Sequence, residues 1–222
     1  MYSYVARNQH LQSTLVFISK DLKNFQSLKT IKIYGNKILN HDFIVEFLNI
    51  NIGQNMYLIS PEKLCNKLLT LSEIKDAKIN LNYAGILSID IAERIPFAIW
   101  WNRNSKFLVD KKGHKITKKF KLREYKDLII IFGENFQQAL QEFINYTSRF
   151  KYRKDIRILH FIGNRRWDVY MNSNIIIKLP EKNLELSLKK CEEILDNDKY
   201  KNRVNIIDLR LFPKKVYFKI GK

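Results

Sequence analysis

IKDAKINLNYAGILSIDIAERI, residues 74–95, contains the clearest structural pattern of the chain. Apolar side chains occupy every second position on both sides of Tyr83-Ala84-Gly85. A period of two is typical of strands with one buried face, and a break that contains glycine indicates a tight turn between them. The pattern therefore predicts an antiparallel hairpin formed by Ile74–Asn82 and Ile86–Ile95.

Upstream of this hairpin, the sequence predicts one more strand and two helices. Thr30–Gly35 alternates in the same way, Asn40 can cap a helix that runs to Leu48, and Ser60-Pro61-Glu62 begins a helix that runs to about Leu71. The order strand-helix-helix-strand-strand over residues 29–95 predicts a three-stranded sheet with two helices on one face. Residues 1–28 have a weaker helical period and are assigned to a helix or stalk.

After Pro96 the sequence changes to short strands and tight turns, with two main helices among them. The predicted strands are 97–101, 107–110, 128–132, 156–162, 167–171, 175–179, 204–211 and 215–220, and the predicted helices are 134–150 and 184–195. The chain is therefore predicted to be α+β, with a small β-α-α-β-β domain at 29–95. The second domain, at 96–222, is predicted to be a curved, mixed or antiparallel sheet with the two helices.

Positive charge is concentrated in the second half of the chain. The net charge is +18, and residues 96–222 account for +15 of it. Lysine outnumbers arginine 29 to 11, a bias that an AT-rich coding sequence also produces. The functional interpretation is an anionic partner, which would be nucleic acid, lipid headgroups or an acidic protein. The densest run, Lys111–Lys121, favours a solvated turn and strand face because it lacks the arginines that read bases.

The sequence contains no motif of enzyme chemistry or cofactor binding. Its glycines form no phosphate-binding loop, its histidines show no metal-ligand spacing, and no serine lies in a nucleophile elbow. Cys65 and Cys191 are too few for a disulfide framework or a zinc site. The sequence therefore predicts a protein that is not an enzyme and that holds no cofactor and no metal.

Two features of the second domain indicate a binding site for another protein. Arg165-Arg166-Trp167 combines two guanidinium groups with an aromatic ring, as interface hot spots do, although a core tryptophan beside solvated arginines fits the same residues. The last predicted strand, Lys215–Ile220, carries lysines where an exposed sheet edge needs protection from uncontrolled pairing. An open edge of this kind can accept a partner segment as an additional strand.

Six motifs, in order over residues 30–220, resemble one family, the bacterial cell-division proteins FtsQ and DivIB. They are Ile31-x-Ile-x-Gly35-Asn36, Glu93-Arg94-Ile95-Pro96-Phe97-Ala98-Ile99-Trp100, Leu108-Val109-Asp110-x-x-Gly113, Arg165-Arg166-Trp167-Asp168-Val169, Ile177-Lys178-Leu179-Pro180-Glu181 and Ile207-Asp208-Leu209-Arg210. The resemblance implies a polypeptide-transport-associated (POTRA) domain at 29–95 and the family's β domain at 96–222.

The resemblance also implies a function and a set of contacts. It implies a divisome scaffold without enzyme activity that links and recruits cell-division proteins, chiefly FtsB and FtsL, with FtsW, FtsI and FtsK as further candidates. In the family, FtsB adds as a strand to the last strand of the β domain. The corresponding contact residues in this sequence are Arg165, Arg166, Leu211, Val216, Tyr217, Phe218 and Lys219.

The implied location is the inner membrane of a Gram-negative bacterium, at the division septum. The family resemblance implies a single-pass protein with its body in the periplasm. Its N-terminal transmembrane helix is absent from this sequence, so that residues 1–28 are interpreted as the juxtamembrane segment.

Two other interpretations remain open at this level. One is a nucleic-acid-binding protein that uses the lysine-rich second half, which binding of bulk DNA or RNA would favour. The other is a POTRA module of an outer-membrane insertion system, for which several POTRA copies or a barrel would be expected. The sequence contains neither.

Overall fold

The computed structural model describes residues 27–103, 105–117, 119–200 and 203–221, and the chain divides into two domains between Arg94 and Ile95. The helix or stalk predicted over residues 1–28 lies almost entirely outside the described residues. No helix in the described part of the chain has the length and hydrophobicity that a membrane crossing requires.

The described part of the first domain is a three-stranded sheet with two helices. Its elements are β1 (Thr30–Tyr34), α1 (His41–Leu48), α2 (Pro61–Leu68), β2 (Ile74–Leu81) and β3 (Ile86–Glu93), with a short 3-10 turn at Met56–Leu58. The strand order is β1-β3-β2, with β1 parallel and β2 antiparallel to β3. The order of elements and the β2–β3 hairpin are as predicted, whereas the parallel pairing of β1 with β3 was not predicted from the sequence.

Local hydrogen bonds set the ends of α2. The Ser60 hydroxyl accepts a hydrogen bond from the backbone N–H of Lys63 (3.3 Å), as an N-cap does. The helix ends at Leu68, before the predicted end, and just after it the hydroxyl of Thr70 donates to the carbonyl of Lys67 (2.7 Å). The core of this domain joins residues of both helices to the sheet, namely Ile44, Leu48, Leu68, Ile79, Leu87, Ile89 and Ile91.

In the second domain, the described residues form one mixed sheet of nine strands with two helices. The strands are β4 (Ala98–Asn102), β5 (Ser105–Val109), β6 (Lys115–Ile116), β7 (Ile129–Phe132), β8 (Ile156–Ile162), β9 (Arg166–Met171), β10 (Ile176–Lys178), β11 (Val204–Asp208) and β12 (Tyr217–Ile220), and the helices are α3 (Gln137–Thr147) and α4 (Leu184–Asp196). The strand order is β12-β11-β10-β9-β8-β7-β4-β5-β6. The predicted α+β class is confirmed.

Both helices pack on the same face of this sheet. Trp167, Val169 and Met171 alternate along β9 and therefore share a face. They belong to one buried cluster with residues of α3 and α4, among them Phe143 and Leu188. The Trp167 ring lies 5.5 Å from the Phe143 ring. The tryptophan of the Arg-Arg-Trp motif is thus a core residue, and its two arginines lie where the strand leaves the core.

A candidate partner-docking edge

The terminal strand β12 forms one edge of the sheet, and within the described residues it pairs with β11 alone. The N–H of Leu209 donates to a carbonyl of β10 (2.9 Å), so the preceding residue, Asp208, faces β12. Tyr217, which pairs with Asp208, directs its backbone groups toward β11. Phe218 and Ile220 therefore direct theirs to the open flank.

β12 is shorter than predicted. It begins at Tyr217 instead of Lys215, and the preceding Val216 packs its partly buried side chain against the domain core. A four-residue strand offers about two N–H and two C=O groups on one flank. At about 1 kcal/mol net for each bond, backbone pairing alone is weak, so side chains beside the edge must contribute to any stable complex.

A cavity of about 440 Å³ opens at the end of the sheet where β12 begins. It is lined by residues of four separate segments, namely Arg165, Arg166, Pro180, Glu181, Asp208, Arg210, Leu211 and Tyr217. Arg165, Arg166, Leu211 and Tyr217 are among the contact residues predicted from the sequence, and the structure brings them together. The predicted residues Val216, Phe218 and Lys219 are not part of the lining, and the Phe218 ring lies 4.7 Å from the Tyr200 ring.

Arg165 is the available cation of this cavity. It follows a tight turn in which Gly163 and Asn164 have positive φ angles (59° and 53°), and its N–H donates to the carbonyl of Ile162 (3.3 Å). The side chain is exposed, and its guanidinium makes no hydrogen bond or ion pair with any residue that the structure describes. An incoming carboxylate can therefore pair with Arg165 without displacing another acid.

Arg166 is in a different environment. Its side chain is only 16% exposed, and its Nε lies 3.6 Å from Oδ1 of the buried Asp168, too far for a hydrogen bond. Asp168 faces His160 and Lys178 on the two neighbouring strands. Burial raises the pKa of Asp168 above the ordinary aspartate value, although Arg166 and Lys178 oppose the rise. The charge of Arg166 is therefore directed to the buried carboxylate of Asp168 and is less available to a partner than that of Arg165.

We expect Asp168→Asn to change how stability depends on pH. A carboxyl group whose pKa is raised by folding binds protons more readily in the folded state, so it adds stability as the pH falls toward its unfolded pKa of about 3.9. Between about pH 7.5 and about pH 4.5, the wild type should gain free energy of unfolding relative to Asp168→Asn. Urea unfolding at both pH values measures this. A pH-independent difference between the wild type and Asp168→Asn would contradict the pKa shift.

Asp208 and Arg210 form a bidentate ion pair at the cavity. The Nε and Nη2 atoms of Arg210 bond to the two carboxylate oxygens of Asp208 (2.9 and 2.7 Å). These hydrogen bonds from Arg210 lower the pKa of Asp208 below the ordinary aspartate value. Both residues belong to the motif Ile207-Asp208-Leu209-Arg210, but Arg210 was not among the contact residues predicted from the sequence. The position of Arg210 at the cavity depends on strands that are distant in sequence, so only the structure reveals it.

Comparison with known proteins identifies the family. A model described as the C-terminal domain of the cell division protein FtsQ/DivIB matches residues 98–210, and a model of the FtsQ-type POTRA domain matches residues 26–94. The chain belongs to the FtsQ/DivIB family. The resemblance drawn from the six motifs is confirmed.

Individual relatives agree with the family models. The chain is 28% identical to the cell division protein FtsQ of Rickettsia typhi, over 82% of this chain and 69% of the relative. It is 30% identical to FtsQ of Rickettsia felis, over 82% and 68%. The solved extracytoplasmic domain of the cell division protein DivIB from Geobacillus stearothermophilus matches with a TM-score of 0.33 and 15% identity, over 50% of this chain and 98% of that domain.

Several family motifs form the fold and are not part of the lining of the cavity. In the POTRA domain, the carboxylate of Glu93 accepts the backbone N–H groups of Lys37, Ile38 and Leu39. In the β domain, the Nε1 of Trp100 donates to the carbonyl of Gly133 (2.8 Å). These side chains hold loops against strands. Their motifs therefore identify the fold, but they do not indicate where a partner binds.

The lysine-rich run does not present its aromatic residue for nucleic-acid stacking. The Phe120 ring lies edge-on to the Tyr125 ring at 5.5 Å and packs against the small cluster around Leu108. Lys115 lies 3.4 Å above the Phe107 ring and so contacts the domain itself. Neither the family found nor these contacts support the nucleic-acid alternative.

Proposed function

We propose that this chain is a divisome scaffold without enzyme activity, and that it binds an acidic segment of FtsB along the open flank of β12. The observation that carries the proposal is the coincidence of an open strand edge with an available arginine, Arg165, at one cavity. Strand pairing supplies direction and register. A carboxylate of the partner bound to Arg165 supplies a charge-assisted contact, which is about twice as strong as a neutral hydrogen bond.

The wider role proposed is the one implied by family membership. FtsL joins through the complex with FtsB, and FtsW, FtsI and FtsK are further candidates for recruitment at the septum. In this proposal both domains lie in the periplasm, and an N-terminal membrane anchor precedes the residues described. The high positive charge of the β domain favours acidic partners over basic ones.

The test of this proposal is Arg165→Glu. We expect the variant to lose about 10- to 100-fold in affinity for a fluorescently labelled FtsB segment of the same organism, because a favourable ion pair becomes a repulsive one. The melting temperature should be unchanged, since Arg165 is exposed and holds no described residue in place. Fluorescence anisotropy at physiological salt measures the affinity.

Arg157→Glu is the matched control for this test. Arg157 is exposed on β8, does not line the cavity and undergoes the same change of charge. The affinity of this variant should stay within about threefold of the wild type, because salt screens an exposed charge that makes no direct contact with the partner. Equal losses of affinity in both variants would mean that the change of net charge, and not a contact of Arg165, causes the effect. Full binding by Arg165→Glu would refute the proposed site. Arg166 is left unchanged, because its reversal would place two acids together in the interior.

A further inference from the structure

One end of the POTRA domain brings three backbone segments together. The N–H of Leu28 donates to the carbonyl of Gln54 (2.8 Å), and the N–H of Gly53 donates to the carbonyl of Leu28 (2.7 Å). The N–H of the next residue, Lys29, donates to the carbonyl of Gly85 (2.8 Å). The α1–α2 loop and the β2–β3 turn therefore flank the point at which the chain enters this domain.

These two loops carry the most exposed large apolar side chains that the structure describes in the POTRA domain. We call this set the apolar tip, and it consists of Ile52 (69% exposed), Tyr57 (74%), Leu58 (77%) and Tyr83 (88%). The other exposed large apolar residues of the domain range from 41% to 51%. Two separate loops thus expose apolar side chains at the same end, which a random scatter of surface residues would not produce.

The apolar tip is embedded in uncharged sequence. Residues 49–61 and 79–89 contain no Asp, Glu, Lys or Arg, although 28% of the chain is charged. Their polar residues are mainly asparagines. The nearest described cation at this end is Lys29, which is exposed. A partner recognised by charge therefore does not fit this surface, whereas a partner that accepts apolar side chains among neutral polar groups does.

A lipid interface has this chemistry. Tyrosine is enriched at the membrane–water boundary because its ring leaves water while its hydroxyl stays hydrated, and isoleucine and leucine gain free energy from the acyl boundary. Side chains exposed by two thirds or more make few contacts with their own domain, so each of them can enter an apolar layer without a rearrangement of the fold. A fluid bilayer adapts to each side chain without a matching shape.

We propose that the apolar tip inserts into the interfacial layer of a lipid bilayer and so orients the POTRA domain at the membrane. The inference rests on the proposed function in one point, that the residues before Ser27 lead toward a membrane anchor. The chain enters the domain between the two loops of the tip, so this is the end of the domain that is joined to such an anchor. Lys29 would then lie at the level of the lipid phosphates.

The experiment places an environment-sensitive NBD label at the tip. Ile52→Cys, Leu58→Cys and Tyr83→Cys are made in a Cys65→Ser chain, in which the serine hydroxyl can replace the thiol that donates to the carbonyl of Ala77. Cys191 is fully buried and burial raises the pKa of its thiol, so it resists labelling. The chain is tethered by an N-terminal histidine tag to phosphatidylcholine vesicles that contain a nickel-chelating lipid.

The expected result is a blue shift and a roughly twofold rise in NBD emission at all three tip positions on addition of vesicles. Salt at about 0.3 M suppresses electrostatic attraction of the basic β domain to the vesicles. The control is Tyr34→Cys, an exposed aromatic position about 13 Å away at the far end of β1, which should stay unshifted. Leu58→Glu should abolish the shift of a label at residue 52, because a charge resists entering the apolar boundary.

Two outcomes would overturn the inference. One is an equal response at the tip and at Tyr34→Cys, which would mean that the tip has no preferred contact with lipid. The other is a shift that depends on protein concentration and occurs without vesicles, which would assign the tip to a second copy of the chain. The FtsB affinity test uses no lipid, and this test uses no FtsB, so the two proposals fail independently.

Discussion

Replacing Glu93 by alanine should destabilise the POTRA domain by about 3 kcal/mol, since net contributions of hydrogen bonds to charged groups are about 1.5–3 kcal/mol each and are not fully additive. The Glu93 carboxylate accepts three successive backbone N–H groups, from Lys37 (2.8 Å), Ile38 (2.6 Å) and Leu39 (2.9 Å). Its removal leaves three donors of the loop before α1 without this acceptor. The loop is then no longer tied to the end of β3.

Hydrogen–deuterium exchange of the whole chain measures this effect domain by domain. Peptides from β3 should lose roughly 100-fold of their protection, which corresponds to about 3 kcal/mol, while peptides from β9 should stay protected. Glu46→Ala is the control, because Glu46 is an exposed acid of α1 and its loss should change stability by less than about 0.5 kcal/mol. Unchanged protection of β3 in the Glu93 variant would contradict the role assigned to this carboxylate.

Glu93 also shows what the sequence could and could not reveal. The motif that begins at Glu93 identifies the family, but the sequence alone does not say why a glutamate stands there. The reason is non-local, because the three N–H groups come from residues more than 50 positions earlier. In the structure, Glu93 stabilises the fold by holding the loop before α1.

The helices and strands whose ends depend on neighbouring residues in the sequence were predicted closely. The hairpin of β2 and β3 follows from alternation, and the start of α2 follows from Ser60 and Pro61. The start of α3 was predicted at Glu134 but lies at Gln137, because the backbone at Gly133 and Asn135 has positive φ angles (111° and 54°). A side chain at Gly133 would place its Cβ 2.4 Å from a carbonyl oxygen of β8. That close approach of two strands cannot be read from a local pattern.

The candidate docking site was predictable as a set of residue types, but not as a geometry. Arg165 and Tyr217 lie 52 positions apart in the sequence, and only the order of strands from β9 to β12 brings them to one cavity. Two arginines in a row look equivalent in the sequence. The structure separates them, because Arg165 faces solvent while Arg166 lies beside the buried Asp168.

In the β domain, Phe218→Pro should lower the affinity for the FtsB segment at least about 30-fold, or about 2 kcal/mol. Phe218 directs its N–H to the open flank, so proline removes a donor that the added strand needs and leaves a partner carbonyl unpaired, at a cost of about 1–3 kcal/mol. The uncomplexed protein tolerates the change, because proline is accepted on edge strands whose N–H faces solvent. Fluorescence anisotropy with the labelled segment measures the loss.

Phe218→Ala is the variant that makes this result decisive. Both substitutions remove the ring that packs against Tyr200 and should lower the melting temperature alike, but alanine keeps the backbone N–H. Because alanine keeps the N–H that faces the flank, Phe218→Ala should bind within about fivefold of the wild type if backbone pairing dominates. If both variants bind equally weakly, the ring or the packing of β12 is the contact. If both bind normally, the partner does not add to this edge, and Arg165 would have to act in some other docking geometry.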